Sequence, residues 1–149
     1  MNLRKVFVPA IATAALLLGG CAQKTTYAEF HEKAAAAEKH SFTKASVKRS
    51  SEGLNAEAEL KFGADVLDVA TLKVWVYDSG DKTTGNYVAT LINATTAGGF
   101  TENEGYTYYF VGNGYQVKDE EGTTTWTFES HGLLTSYADG SESITVSYK

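Results

Sequence analysis

The sequence predicts an α+β fold in which an N-terminal helix packs on a curved antiparallel β-sheet. Two observations lead to this prediction. Residues 26–39 are rich in the helix formers Ala, Glu and Lys, with apolar residues at helical spacing. From residue 106 onward the chain alternates between apolar and polar residues and is divided by Gly-containing turns. We therefore expect the sheet to have one large apolar face, which the helix must cover.

The first twenty residues have the layout of an export signal. Residues 4–5 are basic, residues 6–18 are mostly apolar, and Gly19-Gly20 supplies the small residues of a cleavage site. The apolar run is shorter than the roughly 20 residues of a bilayer-spanning helix. Cys21 follows directly and is the only cysteine in the chain, so it has no partner for an internal disulfide. The alternative is an ordinary signal peptide with an incidental cysteine.

The tetrapeptide Leu18-Gly19-Gly20-Cys21 resembles the lipobox of bacterial lipoproteins. That resemblance implies diacylglycerol on the Cys21 sulfur, with no other cofactor, and cleavage between Gly20 and Cys21. Two acyl chains would hold the protein on the cell membrane or outer membrane, with its domain outside the cytoplasm. The expected organisation is a signal peptide at 1–20, the lipidated cysteine and a short tether at 21–25, and a single domain at 26–149.

The charge of the chain restricts its partners. Without residues 1–20 the chain has 129 residues, enough for one core, with 11 basic and 18 acidic side chains. An acidic chain lacks the basic footprint of a nucleic-acid-binding protein. Residues 22–49 carry a balance of +3 and residues 50–149 a balance of −10. One hypothesis is that anionic lipid head groups attract the first part and repel the second; a chance asymmetry of a solvated surface is the alternative.

The first predicted helix begins at a capping box, with Thr26 as N-cap and Glu29 three residues later. Strict alternation then predicts strands at 42–49 and 54–62. A two-residue turn at Glu52-Gly53 gives a self-consistent register. Its pairs are Val47–Ala58, Ala45–Leu60 and Lys48–Glu57.

The middle of the chain predicts one strand and one helix. The strand covers Leu72 to Tyr77, and residues 64–71 could be strand or helix. Asp78-Ser79-Gly80-Asp81 is a predicted turn. Apolar residues at helical spacing then predict the second helix from Thr84 to Ala94, in the connection between the two parts of the sheet.

Four X-Gly pairs predict a C-terminal five-stranded meander from Tyr106 onward. The predicted turns are Asn113-Gly114, Glu121-Gly122, His131-Gly132 and Asp139-Gly140. Two-residue turns at these sites place most large apolar side chains on one face and most Thr and Ser residues on the other. The resulting pairs are Phe110–Val117, Val117–Trp126, Tyr115–Phe128, Trp126–Tyr137, Phe128–Thr135, Thr135–Ile144 and Leu133–Val146.

The order of these elements resembles the small bacterial lipoproteins of the LolA-like superfamily, which includes the LppX and LprG relatives. The segment from Phe128 to Tyr137 reads Phe-x-x-x-Gly-Leu-Leu-Thr-Ser-Tyr, and the predicted strands number about eight, fewer than in that family. The resemblance implies an open half-barrel with helices over its concave face and acyl chains bound between the two. The candidate ligand-lining residues are Tyr108, Phe110, Trp126, Phe128 and Tyr137.

The sequence does not predict an enzyme or a metal site. It has no Gly-x-Ser-x-Gly nucleophile motif, and we expect His31, His40 and His131 to be surface residues. The acidic run Asp119-Glu120-Glu121 is expected to be a solvated turn. A carrier of lipid or another hydrophobic ligand is the first functional hypothesis, and the oligomeric state stays open. The alternative is an envelope structural or protein-interaction module that uses the threonine-rich face (Thr123, Thr125, Thr127 and Thr145).

Overall fold

A computed structural model of the chain describes residues 22–38, 40, 42–62 and 75–149. These residues form an α+β fold with two α-helices and one antiparallel sheet of nine strands, which does not close on itself. The predicted signal peptide, the cleavage site at Gly20, Cys21 and residues 64–71 lie outside the described residues, as does the start of the strand predicted from Leu72.

The strands lie in the order β1-β5-β6-β7-β8-β9-β2-β3-β4, so that β1 and β4 are the two edges. Helix α1 spans Tyr27–Ala35, helix α2 spans Lys82–Ala94, and a short 3₁₀ helix spans Ala97–Gly99. The strands are β1 (Ala22–Thr25), β2 (Lys44–Ser51), β3 (Leu54–Phe62), β4 (Trp75–Gly80), β5 (Thr107–Val111), β6 (Gly114–Lys118), β7 (Thr125–Phe128), β8 (Leu134–Ala138) and β9 (Glu142–Tyr148).

Residues 22–25, expected to be a short tether, form the edge strand β1. The strand pairs antiparallel with β5, with Ala22 opposite Val111 and Thr25 opposite Tyr108. Its residues are half-buried or exposed, so backbone hydrogen bonds rather than burial of side chains hold it. The first residue after Cys21 is therefore already part of the sheet.

The cap of α1 is confirmed, because the Thr26 side chain accepts a hydrogen bond from the Glu29 amide at 3.2 Å. The helix ends at Ala35, four residues before the predicted end. Its last buried residue is Ala34. The alanines that follow favour a helix, but short helices depend on packing more than on propensity, and the last residues have no apolar face to bury.

Helix α2 is confirmed, and it begins two residues earlier than predicted because Asp81 caps it by accepting from the Thr84 amide at 2.9 Å. The turn predicted at 78–81 is wrong, since β4 continues to Gly80. A register shift between Glu59 and Leu60 lets β4 follow β3 to this point. Gly80 has a φ of 97°, which glycine adopts without strain.

The register of the first hairpin is confirmed, with Val47 opposite Ala58 and Lys48 opposite Glu57. In the meander, Val117–Trp126, Tyr115–Phe128 and Trp126–Tyr137 are also confirmed.

Three turns of the meander differ from the prediction. The first lies at Gly112-Asn113 instead of Asn113-Gly114, so that Phe110 pairs with Tyr115 instead of Val117. A bulge sets Phe128 opposite Leu134 instead of Thr135. The last turn lies at Gly140-Ser141 instead of Asp139-Gly140, which sets Tyr137, and not Thr135, opposite Ile144. Leu133 bridges to Thr96 instead of pairing with Val146. The first and last of these slips move the pairing by two residues, which leaves each side chain on its predicted face.

Both helices cover the same apolar face of the sheet, and the core has two clusters. Phe30 and Ala34 of α1 pack on β5, β6 and β7, together with Ala97 of the 3₁₀ helix. Val88 and Ile92 of α2 pack mainly on β2, β3 and β9. Leu91 and Tyr137 contact both clusters. The first helix, which was expected to cover the apolar face, covers one part of it, and α2 covers the other part.

Candidate functional site

The five predicted ligand-lining residues lie together on the helix-covered face, in or against the cluster under α1. Tyr108 and Phe128 are buried, at 4% and 2% exposure, whereas Phe110, Trp126 and Tyr137 are partly buried. The sequence therefore located an aromatic surface. Whether it can receive a ligand depends on what already contacts it.

Phe30 of α1 contacts three rings of this surface. Its ring centroid lies 5.0 Å from that of Tyr108, 6.5 Å from that of Phe110 and 5.6 Å from that of Tyr115. Separations of 4.5–7 Å are those at which aromatic pairs attract each other. Phe30 itself has no exposed surface. The space between α1 and the sheet is therefore filled at this point by a protein side chain.

Phe100, which follows the 3₁₀ helix, occupies the other part of the aromatic surface. Its ring lies 5.3 Å from Trp126 and 5.7 Å from Phe128, in edge-to-face geometry. Phe100 was not predicted from the sequence, because it stands alone after two glycines with no periodic pattern. The only sequence signal for a side chain that covers the aromatic surface in this way is a lone aromatic residue in a segment otherwise poor in apolar residues.

Tyrosine hydroxyls fasten the covering segments to the sheet. Tyr108 donates to the carbonyl of Thr101 at 3.3 Å, and Tyr115 donates to the carbonyl of Lys33 at 3.3 Å. A third bond joins the two covering segments to each other, because Tyr27 of α1 donates to the carbonyl of Phe100 at 3.1 Å. Burial raises the pKa values of Tyr108 and Tyr115, so both hydroxyls keep their donor proton at neutral pH. These bonds resist opening of the layer between helix and sheet.

Some of the aromatic surface reaches solvent. Besides Tyr27 and Phe110, which lie beside Phe30 or on its helix, the partly buried side chains at this site are Leu91, Phe100, Tyr106, Trp126 and Tyr137. Trp126 is central, with its ring 5.7 Å from Tyr106 and 6.2 Å from Tyr137. We call these five residues the aromatic strip. It includes two of the five predicted lining residues, Trp126 and Tyr137, and a hydrophobic molecule could reach it without displacing Phe30.

One end of the aromatic strip carries a carboxylate. Tyr137 donates to Asp139 at 2.9 Å, and burial together with this bond raises the pKa of the Tyr137 hydroxyl. Burial alone would raise the pKa of Asp139, but hydrogen bonds from the Ser141 and Glu142 amides and from Tyr137 hold it below its usual value. The Asp139 carboxylate is thus a structural acceptor in the turn before β9.

The histidines lie apart from the aromatic strip. Glu129 accepts from the amides of His131 and Leu133, and its second carboxylate oxygen lies 2.7 Å from Nδ1 of the His131 ring. The His40 ring stacks on that of His131 at 4.8 Å, and His31 stacks on Tyr27 at 5.4 Å. In the part of the chain that the structure describes, no three His, Cys, Asp or Glu side chains form a group that could hold a metal ion.

The opposite face of the sheet is polar, as predicted. Thr123 and Thr145 are exposed, while Thr125 and Thr127 are half-buried. Gln116 is an exception, at 6% exposure, and it donates to the Thr127 hydroxyl at 3.1 Å. Farther along, an open depression is lined mainly by the hydroxyl and charged side chains of β2, β3 and β4. This face offers hydrogen-bonding groups on a broad surface.

Comparison with known proteins gives no relative: no family model, no curated protein and no solved structure matches the chain. Among the described residues, neither helix has both the length and the apolar character needed to cross a membrane.

Proposed function

We propose that this protein is an exported lipoprotein, held at a membrane by acyl chains on Cys21, whose domain is a non-enzymatic interaction module. In this proposal the cysteine follows Gly20 at the cleavage site and is the only thiol in the chain. Growth with an alkyne-tagged fatty acid tests the anchor: the wild-type chain is expected to carry the tag in the membrane fraction, and Cys21→Ser is expected to carry none.

The observation that favours an interaction module over a carrier is the position of Phe30. It has no exposed surface and packs against the rings of Tyr108, Phe110 and Tyr115. A carrier needs volume left free between its layers. The polar face of the sheet, with its exposed threonines, is then the surface that would contact another protein or an envelope polymer.

A carrier of a lipid or other hydrophobic ligand is the second candidate. The aromatic strip favours it, since Trp126 and four neighbouring apolar side chains stay partly exposed. In the half-barrel arrangement that the sequence resemblance implies, an acyl chain would lie along this strip between the helices and the sheet. Such a ligand would bind beside Phe30 and Phe100 without replacing them.

Native mass spectrometry of residues 22–149, purified without detergent, separates the two candidates. The interaction module is expected to give the bare protein mass, unchanged after incubation with membrane lipids. A co-purifying mass in the lipid range, lost in Trp126→Ala but kept in Thr125→Ala, would instead establish the carrier. The threonine is the matched control because it precedes Trp126 on the same strand and lies on the other face.

A photo-crosslinking residue tests the proposed interaction face. We expect a discrete crosslinked product from cells when the crosslinker replaces Thr145 on the polar face. The control position is Thr90, which is also exposed but lies on α2. Equal products from both positions, or a product from Thr90 only, would contradict the assignment of this face.

A further inference from the structure

The nine strands give the sheet two ends, one of which adjoins Cys21. Ala22 begins β1 and pairs with Val111, so the turn Gly112-Asn113 lies beside it. Along the same end of the sheet lie residues 129–133, Lys44 of β2 and Lys61 of β3. The end of α1 also lies here, because Tyr115 at the start of β6 bonds to Lys33. We call this the anchor end.

The other end, which we call the far end, is strongly acidic. It contains the loops and strand ends at 52–53, 81, 101–106, 119–124 and 139–142. Nine acidic side chains are found in these segments: Glu52, Asp81, Glu102, Glu104, Asp119, Glu120, Glu121, Asp139 and Glu142. The basic side chains that adjoin them are Arg49, Lys82 and Lys118, and Arg49 is paired with Glu142 at 2.8 Å.

The described residues of the anchor end carry a near balance of charge. Lys33, Lys44, Lys61 and Lys149 lie there, with Glu38, Asp78 and Glu129 as the acidic residues. Lys61 is paired with Asp78 at 3.3 Å. Glu129 contacts the His131 ring at 2.7 Å. The excess of negative charge is therefore separated from Cys21 by the length of the strands, which for five-residue β6 alone is about 17 Å at 3.4 Å per residue.

No linker separates the proposed anchor at Cys21 from the sheet, because Ala22 already belongs to β1. Consecutive Cα atoms are about 3.8 Å apart, so a lipid on Cys21 keeps Ala22 at the membrane surface. The attachment through Cys21 alone would permit β1, an edge strand, to lie along the membrane surface. That orientation would bring Glu102 and Glu104, which precede β5, close to the head groups. An anionic membrane disfavours it, because fixed charges repel within a Debye length of about 8–10 Å.

We infer that the anchor end, centred on the turn Gly112-Asn113, is a membrane-contacting surface, and that the strands stand steeply on an anionic lipid bilayer with the far end pointing away. The inference rests on the proposed anchor at Cys21. It adds the orientation of the domain. The polar face of the sheet then stands upright and stays accessible to a partner beside the membrane.

Depth-dependent fluorescence quenching tests this orientation. The full chain is produced in cells that lipidate it and is reconstituted in vesicles of phosphatidylglycerol and phosphatidylethanolamine that contain a head-group nitroxide lipid. Because the thioether consumes the only native thiol, Asn113→Cys or Thr123→Cys supplies one site for a fluorescent label. Both positions are exposed, neutral turn residues without positive φ, one at each end.

The label at residue 113 is expected to be quenched at least threefold more strongly than the label at residue 123. Equal quenching in a chain shown by mass to be lipidated, or stronger quenching at residue 123, would overturn the orientation and leave the anchor intact. Recovery of the chain outside the vesicles with a reactive Cys21 thiol would overturn the anchor and this inference with it. The lipid mass therefore distinguishes the two failures.

Discussion

At the residue scale, Phe30 is the side chain on which the choice between carrier and module depends. Its position in the sequence predicts only an apolar face of a helix, shared with Tyr27, Ala34 and Ala37. In the structure it is the one residue of α1 with no exposed surface and with three ring contacts on the sheet. A residue that fills an interior in this way contributes to stability in proportion to the cavity its removal leaves.

Phe30→Ala is expected to lower the free energy of unfolding by about 3–5 kcal/mol, the usual range for a buried phenylalanine. Urea unfolding followed by circular dichroism measures the loss. Glu32→Ala, two residues later on the exposed side of the same helix, is expected to stay within about 0.5 kcal/mol of the wild type. A loss below 1 kcal/mol for Phe30→Ala would mean that α1 does not pack on the sheet.

Asp139 predicts a specific dependence of stability on pH. Its pKa is below the usual value in the folded protein, so folding favours the charged form. The stabilisation is complete above the ordinary carboxyl pKa of about 4 and is lost as the pH falls through the lower folded value. We expect Asp139→Asn to lower the free energy of unfolding by about 1.5–3 kcal/mol at pH 7, the range for a hydrogen bond to a charged group. On acidification the free energy of unfolding should fall less in this variant than in the wild type.

Urea midpoints between pH 7 and pH 2.5 measure this difference. Glu120→Gln, an exposed side chain in the turn between β6 and β7, is the control and should follow the wild-type curve. If Asp139→Asn and the wild type fall in parallel on acidification, the carboxylate does not stabilise the turn through its charge.

At the scale of elements, the hairpin between β5 and β6 shows why an Asn-Gly pair can mislead. Gly112, with a φ of 58°, supplies the left-handed conformation of the turn. Gly114 has no positive φ and serves another purpose: a Cβ there would lie 2.2 Å from the Phe128 carbonyl oxygen of β7. The sequence reveals a glycine but cannot say whether it is needed for its backbone angle or for a close contact between strands.

Gly114→Ala is expected to be much more destabilising than Gly122→Ala. The first substitution forces two neighbouring strands apart at their backbones. The second only places a side chain at a φ of 72° in open space, at a cost of about 1–2 kcal/mol. Urea midpoints compare the two, and a loss for Gly114→Ala no greater than for Gly122→Ala would mean that β6 and β7 separate without penalty.

The elements that the sequence predicts best are those with a long apolar pattern. Helix α2 ends at the predicted residue and begins two residues early, and the first hairpin has the predicted register. Slips by two residues in the meander left the apolar and polar faces intact. Strand β1 was missed because Ala22–Thr25 has four residues and no alternation of burial; only its backbone bonds to β5 define it. The aromatic surface was predicted from spacing, but Phe100, one of the two side chains that cover it, comes from a loop with no pattern.

At the scale of the whole molecule, β9 joins the two parts of the sheet. It pairs with β8 on one side and with β2 on the other, and Ile144 in its middle has no exposed surface. The two core clusters also share contacts through Leu91 and Tyr137. The domain should therefore unfold as one cooperative unit.

The chain has a second tryptophan, Trp75, so fluorescence is recorded in a Trp75→Phe background. In that background Trp126 fluorescence reports mainly on the cluster under α1, whereas far-ultraviolet circular dichroism reports on the whole sheet. We expect both signals to give one urea midpoint. Ile144→Ala is expected to lower both midpoints together and to cost about 2–5 kcal/mol. Two separated transitions would show that the clusters under α1 and α2 are independent.

The place of β9 in the sheet also affects how the chain acquires its structure during synthesis. Strands β2 and β3 leave the ribosome early, but the strand that connects them to β8 follows only after residue 141. Contacts between distant parts of a chain form late and slowly. A nascent chain with this topology cannot complete its sheet before β9, residues 142–148, has been made. An incomplete sheet up to that point is compatible with the proposed export, which would require an unfolded chain.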